Sequence, residues 1–339
     1  MRALMYLGTR NMAIQAVPEP QAAPDEVVLK VSAASICGSD LHGFLGKSKK
    51  RVPPLIMGHE FTGDVVAIGP EVEGFAIGDR VTINPILTCG RCEECQRGRS
   101  SICPARKVIG IDRPGAFAEY VAVPAHLCFK LPDHVGDVEG SMIESLSNAL
   151  HIFDRSLHGL IKSVAIVGAG TQGLLALQVA RLIGATQVFI TDLVPSRLRM
   201  AEQFGVTAAI DVRSADPVAA VMERTNGRGV DLSVEAVGHA STQRQAVSFL
   251  KQGGEAVFLG LGAESNVELD GLAIVNRELT IRGSYAYTNL DFARSLDLIG
   301  GGKIDVKSMV APKALDRGVE MFETLVDRPG ELIKVALVP

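Results

Sequence analysis

The stretch VAIVGAGTQG, residues 164–173, restricts the fold of this chain more than any other segment. The apolar run Val164 to Val167 leads into Gly168, Gly170 and Gly173, and then into a helix-forming run whose apolar positions are Leu174, Leu175, Leu177 and Leu182. The first glycine permits a tight turn, the second lets a pyrophosphate approach the backbone, and the third lets helix and strand pack closely. Thr171 and Gln172 complete the loop, where the free N–H groups and positive dipole end of the helix face a phosphate. Asp192, nineteen residues after Gly173, ends the next apolar run, where its carboxylate can accept hydrogen bonds from an adenosine ribose. Glycine spacing alone discriminates poorly. Its position between strand and helix, with the acidic residue downstream, favours a dinucleotide site over a strand with a chance acidic cap.

The texture of the chain changes on either side of about residue 148. Before it lie short β-like runs separated by turn residues, Glu26 to Val31, Phe61 to Ile68, Asp79 to Ile83 and Phe117 to Val123. That pattern suggests an antiparallel, barrel-like unit. After it, apolar runs at Val164 to Val167, Gln187 to Thr191, Leu232 to Ala236 and Ala256 to Leu259 alternate with helical stretches such as Leu174 to Ile183. Such alternation signals a parallel, doubly wound sheet. Past Arg282 there remain one helical segment, Asp291 to Ile299, a Gly300-Gly301-Gly302 break and a short mixed tail. The tail is too small to fold alone and is expected to rejoin the first unit. A length of 339 residues suits two domains.

Lys plus Arg is 34 against 38 for Asp plus Glu, a net charge of -4, so no overall basic field draws a nucleic acid. No apolar run approaches a membrane span, and the opening MRALMYLGTR lacks a signal-peptide core, so a cytoplasmic chain with no membrane partner is expected.

Cys89, Cys92, Cys95 and Cys103 follow C-x2-C-x2-C-x7-C. Four thiolates on so short a lobe (about 86–106) satisfy a closed tetrahedral zinc site. Exposed free thiols this crowded would oxidise readily, and an iron–sulfur cluster of the ferredoxin type has three residues, not seven, before its last Cys. A second set is dispersed: Cys37 in CGSDLH, His59 and Glu60 in GHE, and Glu144 in IESLSNALH. One thiolate, one imidazole and one or two carboxylates can hold a zinc with an open position. Spacing alone does not separate this from a packed Cys and a His–Glu turn pair.

These motifs, in this order, resemble the zinc-dependent medium-chain alcohol dehydrogenases over effectively the whole chain. GHEFTGDVVAIGPEV (58–72) is similar to that family's zinc signature, while CGSDLH, ESLSNALH and RELTIRGSYAYTN (277–289) are similar to its sorbitol, threonine and polyol-phosphate branch. The resemblance implies an α/β protein: a GroES-like β-rich catalytic domain over 1–147 and 285–339, with a Rossmann dinucleotide-binding domain over 148–284. It implies two zinc ions per chain and NAD, with Cys37, His59 and Glu144 as catalytic-zinc ligands and Glu60 as a ligand or a neighbour of the ligands. Ser39 and His42 match a proton relay that runs through the cofactor ribose. Asp40 matches a carboxylate that orients the His ligand, and Arg197 matches a residue beside the adenine.

The expected reaction is oxidation of a secondary alcohol of a polyol, sugar or related small polar molecule, in a homodimer or homotetramer. The chain departs from the family at Ser145, where the branch usually has Pro, at Gln172, usually apolar, and at Ala286, where sorbitol dehydrogenases carry Arg. The basic run Lys47, Lys49, Lys50 and Arg51 raises the option of a phosphorylated polyol, and L-threonine is another alternative. From different classes come a zinc-free quinone reductase and a non-catalytic nucleotide-binding structural protein; the complete cysteine lobe and the Cys37–His59–Glu144 set count against them.

Overall fold

Strand Glu26–Ser35 organises the first half because both of its edges are taken. It is almost wholly buried and pairs antiparallel with Glu60–Ile68, Tyr120–Pro124 and Lys334–Val338. Register shifts near Val28 and Val31 bend it, so one strand can serve several partners. Cys128–Lys130, Arg80–Ile83 and Val310–Ala314 complete this seven-stranded sheet, and a smaller sheet orders Asn11–Ala16, Arg2–Gly8 and Leu55–Ile56. The structure is a computed structural model that describes residues 1–156, 160–262 and 266–339.

Two compact units result: Met1–Ser147 with Tyr287–Pro339, and Asn148–Ala286. In the first, Phe322 sets its ring edge-on to Phe44 (5.5 Å) and Phe117 (5.7 Å), and with Leu4, Leu29, Phe61 and Ile83 these form the core. The expected run Phe117 to Val123 is a strand only from Tyr120. Phe117 instead leaves the ladder, its amide bound to Met57 O and its carbonyl to Leu4 N, which sends its ring inward.

The second unit carries six parallel strands in the order Ala208–Asp211, Gln187–Asp192, Ser163–Val167, Val230–Glu235, Leu250–Phe258, Thr280–Gly283. By sequence this order is 3-2-1-4-5-6, with its topological switch beside Ser163–Val167, where doubly wound sheets bind nucleotides. All five residues of that central strand are buried, as a strand covered on both faces requires. Ala165, Phe189, Ile210, Val230, Phe249 and Ala256 lie in its core. The helix expected from Leu174 begins three residues earlier, at Thr171, and ends at Leu182. No helix among the described residues is long and apolar enough to cross a membrane.

Candidate active site

The end of strand Glu26–Ser35 is where chemistry collects, and the register explains it. Ser35 pairs with Glu60 on one side and Ala336 on the other, so Glu60 and Lys334 are carried to the same strand end. Two residues on, Cys37 caps helix Gly38–Phe44 with extended backbone, and the Asp40 side chain reaches back to accept the Cys37 N–H at 3.1 Å. The local sequence C-G-S-D thus makes a helix start with its acidic residue three positions in, as N-terminal capping prefers.

Cys37, His59 and Glu60 each present a ligand atom within 4.8 Å of the other two. Asp40, fully buried, sets Oδ1 3.3 Å from His59 Nδ1, near enough for charge attraction but off the line of a good hydrogen bond. Ser39 Oγ is 3.5 Å from the other ring nitrogen, Nε2. Burial alone would raise the Asp40 pKa, yet the charges of His59 and Arg51 hold it well below the usual carboxylate range. Burial would conversely depress His59, and Asp40 together with Cys37 pushes it well up instead. One thiolate, one imidazole and one carboxylate suit zinc, which a closed set of carboxylates would not.

Glu60 is fully buried and held from two directions. Ser145 Oγ donates to Oε1 at 2.9 Å, Lys334 Nζ forms an ion pair with Oε2, and Lys334 also donates to Ser145 Oγ at 3.1 Å. Glu144 is not within the Cys37–His59–Glu60 group. It lies buried nearby, its carboxyl pushed up to about 7 by burial and by the charge of Glu60, with Tyr287 among its partners. Ser145 sits in the first turn of helix Ile143–Asp154, so the departure from Pro leaves the helix intact and adds a hydroxyl to the carboxylate cluster. Sequence pattern singles out neither Lys334 nor this use of Ser145. A lone Lys opening the apolar run KVALV is the available signal, since a buried cation demands a buried anion.

His42, half-buried in the same helix as Asp40, has its pKa lowered by burial and then by Lys47 and Arg51. The run Lys47 to Arg51 is not one basic loop: Lys47, Lys49 and Lys50 are exposed, while Arg51 is buried on Asp40 and Ser39.

Cys89, Cys92, Cys95 and Cys103 converge in a lobe framed by the ladder Ile86–Leu87 with Lys107–Val108. Their sulfurs stand 3.6 Å (Cys89–Cys103) and 3.9 Å (Cys92–Cys103) apart. A tetrahedron with bonds of about 2.3 Å has edges of about 3.8 Å, so the donors fit zinc, whereas a disulfide would need about 2.05 Å. The N–H groups of Arg91 and Cys92 pull the Cys89 thiol down to about 6, and burial with the neighbouring thiols pushes Cys95 up to about 11.

In the second unit Gly168 turns at φ +95, and a Cβ on Gly173 would lie 1.8 Å from Gly168 O, so only glycine lets the helix start there. A Cβ on Gly170 would point into open space, and helix Thr171–Leu182, with Thr171 and Gln172 in its first turn, has no side-chain cap. The positive dipole end of this helix, reached through the glycine turn, suits a phosphate, and a dinucleotide fits. Asp192 ends its strand with Oδ2 accepting from Ala169 N (2.7 Å) and Oδ1 from Val194 N (2.8 Å). These bonds fix the carboxylate against the loop and leave lone pairs for ribose hydroxyls. Arg197, half-buried on helix Pro195–Gln203, has a buried Nε without a hydrogen-bond partner.

Residues 23–133 match the family model described as an alcohol dehydrogenase GroES-like domain, and residues 173–300 match the zinc-binding dehydrogenase model. The chain is 33% identical to a sorbitol dehydrogenase of Bacillus subtilis (strain 168), covering 100% of this chain and 97% of that protein. It is 35% identical to an L-threonine 3-dehydrogenase of Idiomarina loihiensis, covering 95% and 94%. Among solved structures, a zinc-binding dehydrogenase from Sinorhizobium meliloti 1021 bound to NADP superposes with a TM-score of 0.94 at 35% identity, covering 100% of this chain and 99% of that one. The chain belongs to the zinc-dependent medium-chain alcohol dehydrogenases, in the branch of the sorbitol and threonine enzymes. Its fold is the family's GroES-like unit with a Rossmann-type unit.

Proposed function

We propose that this protein oxidises a secondary alcohol of a polyol, sugar or related small polar molecule to a ketone, with NAD as hydride acceptor and two zinc ions per chain. The observation that carries the reading is the cluster of Cys37, His59 and Glu60 with Ser39 Oγ beside the His59 ring. When bound, the zinc acts as Lewis acid on the alcohol oxygen and the nicotinamide accepts the hydride. Cys37 and His59 hold the metal, with Glu60 the carboxylate best placed and Glu144 in reserve. Asp40 orients the imidazole, Ser39 takes the substrate proton, and His42 passes a proton on to water. The lowered pKa of His42 keeps it neutral, and so able to accept, somewhat below its ordinary range.

Secondary hydroxyls are common to the substrates named in the two curated relatives, sorbitol and L-threonine. NAD is favoured over NADP because Asp192 would repel a 2′-phosphate, and the next residue, Leu193, is exposed and apolar. Arg197 and the NADP-bound relative are what this choice must overcome. With Arg51 turned inward, the run 47–51 offers a substrate phosphate three exposed lysines rather than four cations, which weakens the phosphorylated option. Edge strand Thr280–Gly283 and helix Gly271–Asn276, with Leu272 and Val275 exposed, support a homodimer or homotetramer joined at that sheet edge. Four cysteines gathered at metal-ligand distances, rather than spread as cross-links, support a reducing, cytoplasmic setting.

Alditols, secondary diols, L-threonine and sugar phosphates are to be assayed with NAD and with NADP by the absorbance of the reduced nicotinamide. Turnover confined to primary alcohols refutes the substrate class, NADP preference refutes the role given to Asp192, and full activity in metal-free protein refutes the zinc chemistry.

A further inference from the structure

Arg51 is 6% exposed, unlike the three lysines before it, and one of its nitrogens does two things. Nη2 donates to Asp40 Oδ1 at 2.9 Å and to Ser39 Oγ at 3.0 Å. Room for the side chain is built into helix Gly38–Phe44: a Cβ at Gly43 would stand 2.3 Å from Arg51 Cδ and 3.0 Å from Nε. Burying an arginine costs heavily unless it is paired, so its place between these two side chains reflects a specific pairing rather than a loop folded inward.

A guanidinium can only donate, whereas a serine hydroxyl has one proton and two lone pairs. Ser39 must therefore accept from Arg51, which leaves it one lone pair and its own proton. Those are the two capacities a relay hydroxyl needs: to take a proton from the substrate and hand one on. Asp40 Oδ1 is meanwhile shared between Arg51 and His59 Nδ1. Without the guanidinium, the carboxylate becomes the strongest acceptor near Ser39, and it draws the hydroxyl proton out of the relay.

We infer that Arg51 is a positioning residue of the active site: its guanidinium locks the Ser39 hydroxyl and the Asp40 carboxylate into one arrangement, which keeps Ser39 available to the substrate. The inference rests on the dehydrogenase reading of Ser39 given above.

The test uses zinc-loaded Arg51→Ala and Arg51→Lys, with Lys49→Ala as an exposed control expected to match wild type. Losing a charge-assisted hydrogen bond lowers kcat by about ten- to a hundredfold, with KM and the dinucleotide Kd within about threefold of wild type. Arg51→Lys keeps the charge but loses the fork, and it recovers part of that loss. Added ethylguanidinium restores turnover to Arg51→Ala.

In protein labelled with ¹⁵N-histidine, the His59 Nδ1–H resonance moves downfield in Arg51→Ala, because Asp40 Oδ1, released from the guanidinium, can turn into line with that N–H 3.3 Å away. Arg51→Ala with kcat within threefold of wild type and an unmoved His59 resonance overturns the inference, as does Arg51→Lys equal to wild type in both. If Arg51→Ala does not fold, Arg51→Lys decides alone. A wild-type chain without zinc or turnover refutes the dehydrogenase reading and this inference with it; failure of the inference alone shows as unaffected variants of an active enzyme.

Discussion

Replacing Lys334 by Met should be among the most damaging single changes in the catalytic unit that touches neither a thiol nor the core. Met matches the length of the stem but carries no charge, so packing against the strand is largely kept. What is lost is the only cation paired with Glu60 among the described residues, at a site where Lys334 is 3% and Glu60 0% exposed. Breaking a buried pair from one side leaves an uncompensated charge and costs about 3–5 kcal/mol. Ser145, which donates to Glu60, also loses the ammonium that donates to it.

For a unit of about 200 residues each kcal/mol lowers Tm by about 2–4 °C, so the transition that reports this unit should fall by about 6–20 °C. Differential scanning calorimetry measures it on chain whose catalytic site holds no zinc, so that no metal charge replaces the ammonium beside Glu60, with Glu60→Gln and the double variant completing a cycle. Neutralising Glu60 in the Lys334→Met background should return most of the loss. A shift under about 2 °C, or strictly additive single effects, would show that the pair is not the constraint on Glu60 argued here.

Metal analysis should find two zinc per chain, and Cys89→Ser should lose one of them and melt the 86–106 lobe, seen as new protease cleavage there; intact zinc stoichiometry in that variant would refute the structural site. His42→Ala should slow oxidation chiefly below about pH 8 with zinc content unchanged. Because burial and Lys47 both lower the His42 pKa, Lys47→Met should move the acid limb of the kcat profile to higher pH, and an unmoved limb would remove His42 from the proton path. Gly173→Ala sets a Cβ 1.8 Å from Gly168 O, so the helix must shift; dinucleotide binding by fluorescence titration should weaken at least tenfold, or about 1.4 kcal/mol, and unchanged affinity would contradict the packing described.

Motifs local in the chain are legible from the residues themselves. The strand–glycine–helix run at 164–173, the four cysteines from 89 to 103 and the alternation of strand and helix after residue 148 each act over a few residues, so spacing carries their geometry. The orienting role of Asp40 is different: the family resemblance implies it, and the fold supplies the contact by bringing helix Gly38–Phe44 to within 3.3 Å of the His59 ring. Tertiary structure alone decided which distant side chains share the carboxylate cluster. Lys334 is 274 residues from Glu60 in the chain and meets it only because their strands flank the same end of Glu26–Ser35. Nothing in the run Lys47 to Arg51 distinguishes its last member from the three lysines before it. Arg51 turns inward because Gly43 leaves space and Asp40 supplies the opposite charge. Local patterns specify backbone shape and ligand spacing, whereas burial and ion pairing depend on which strands meet, and register sets that only once the sheet has closed.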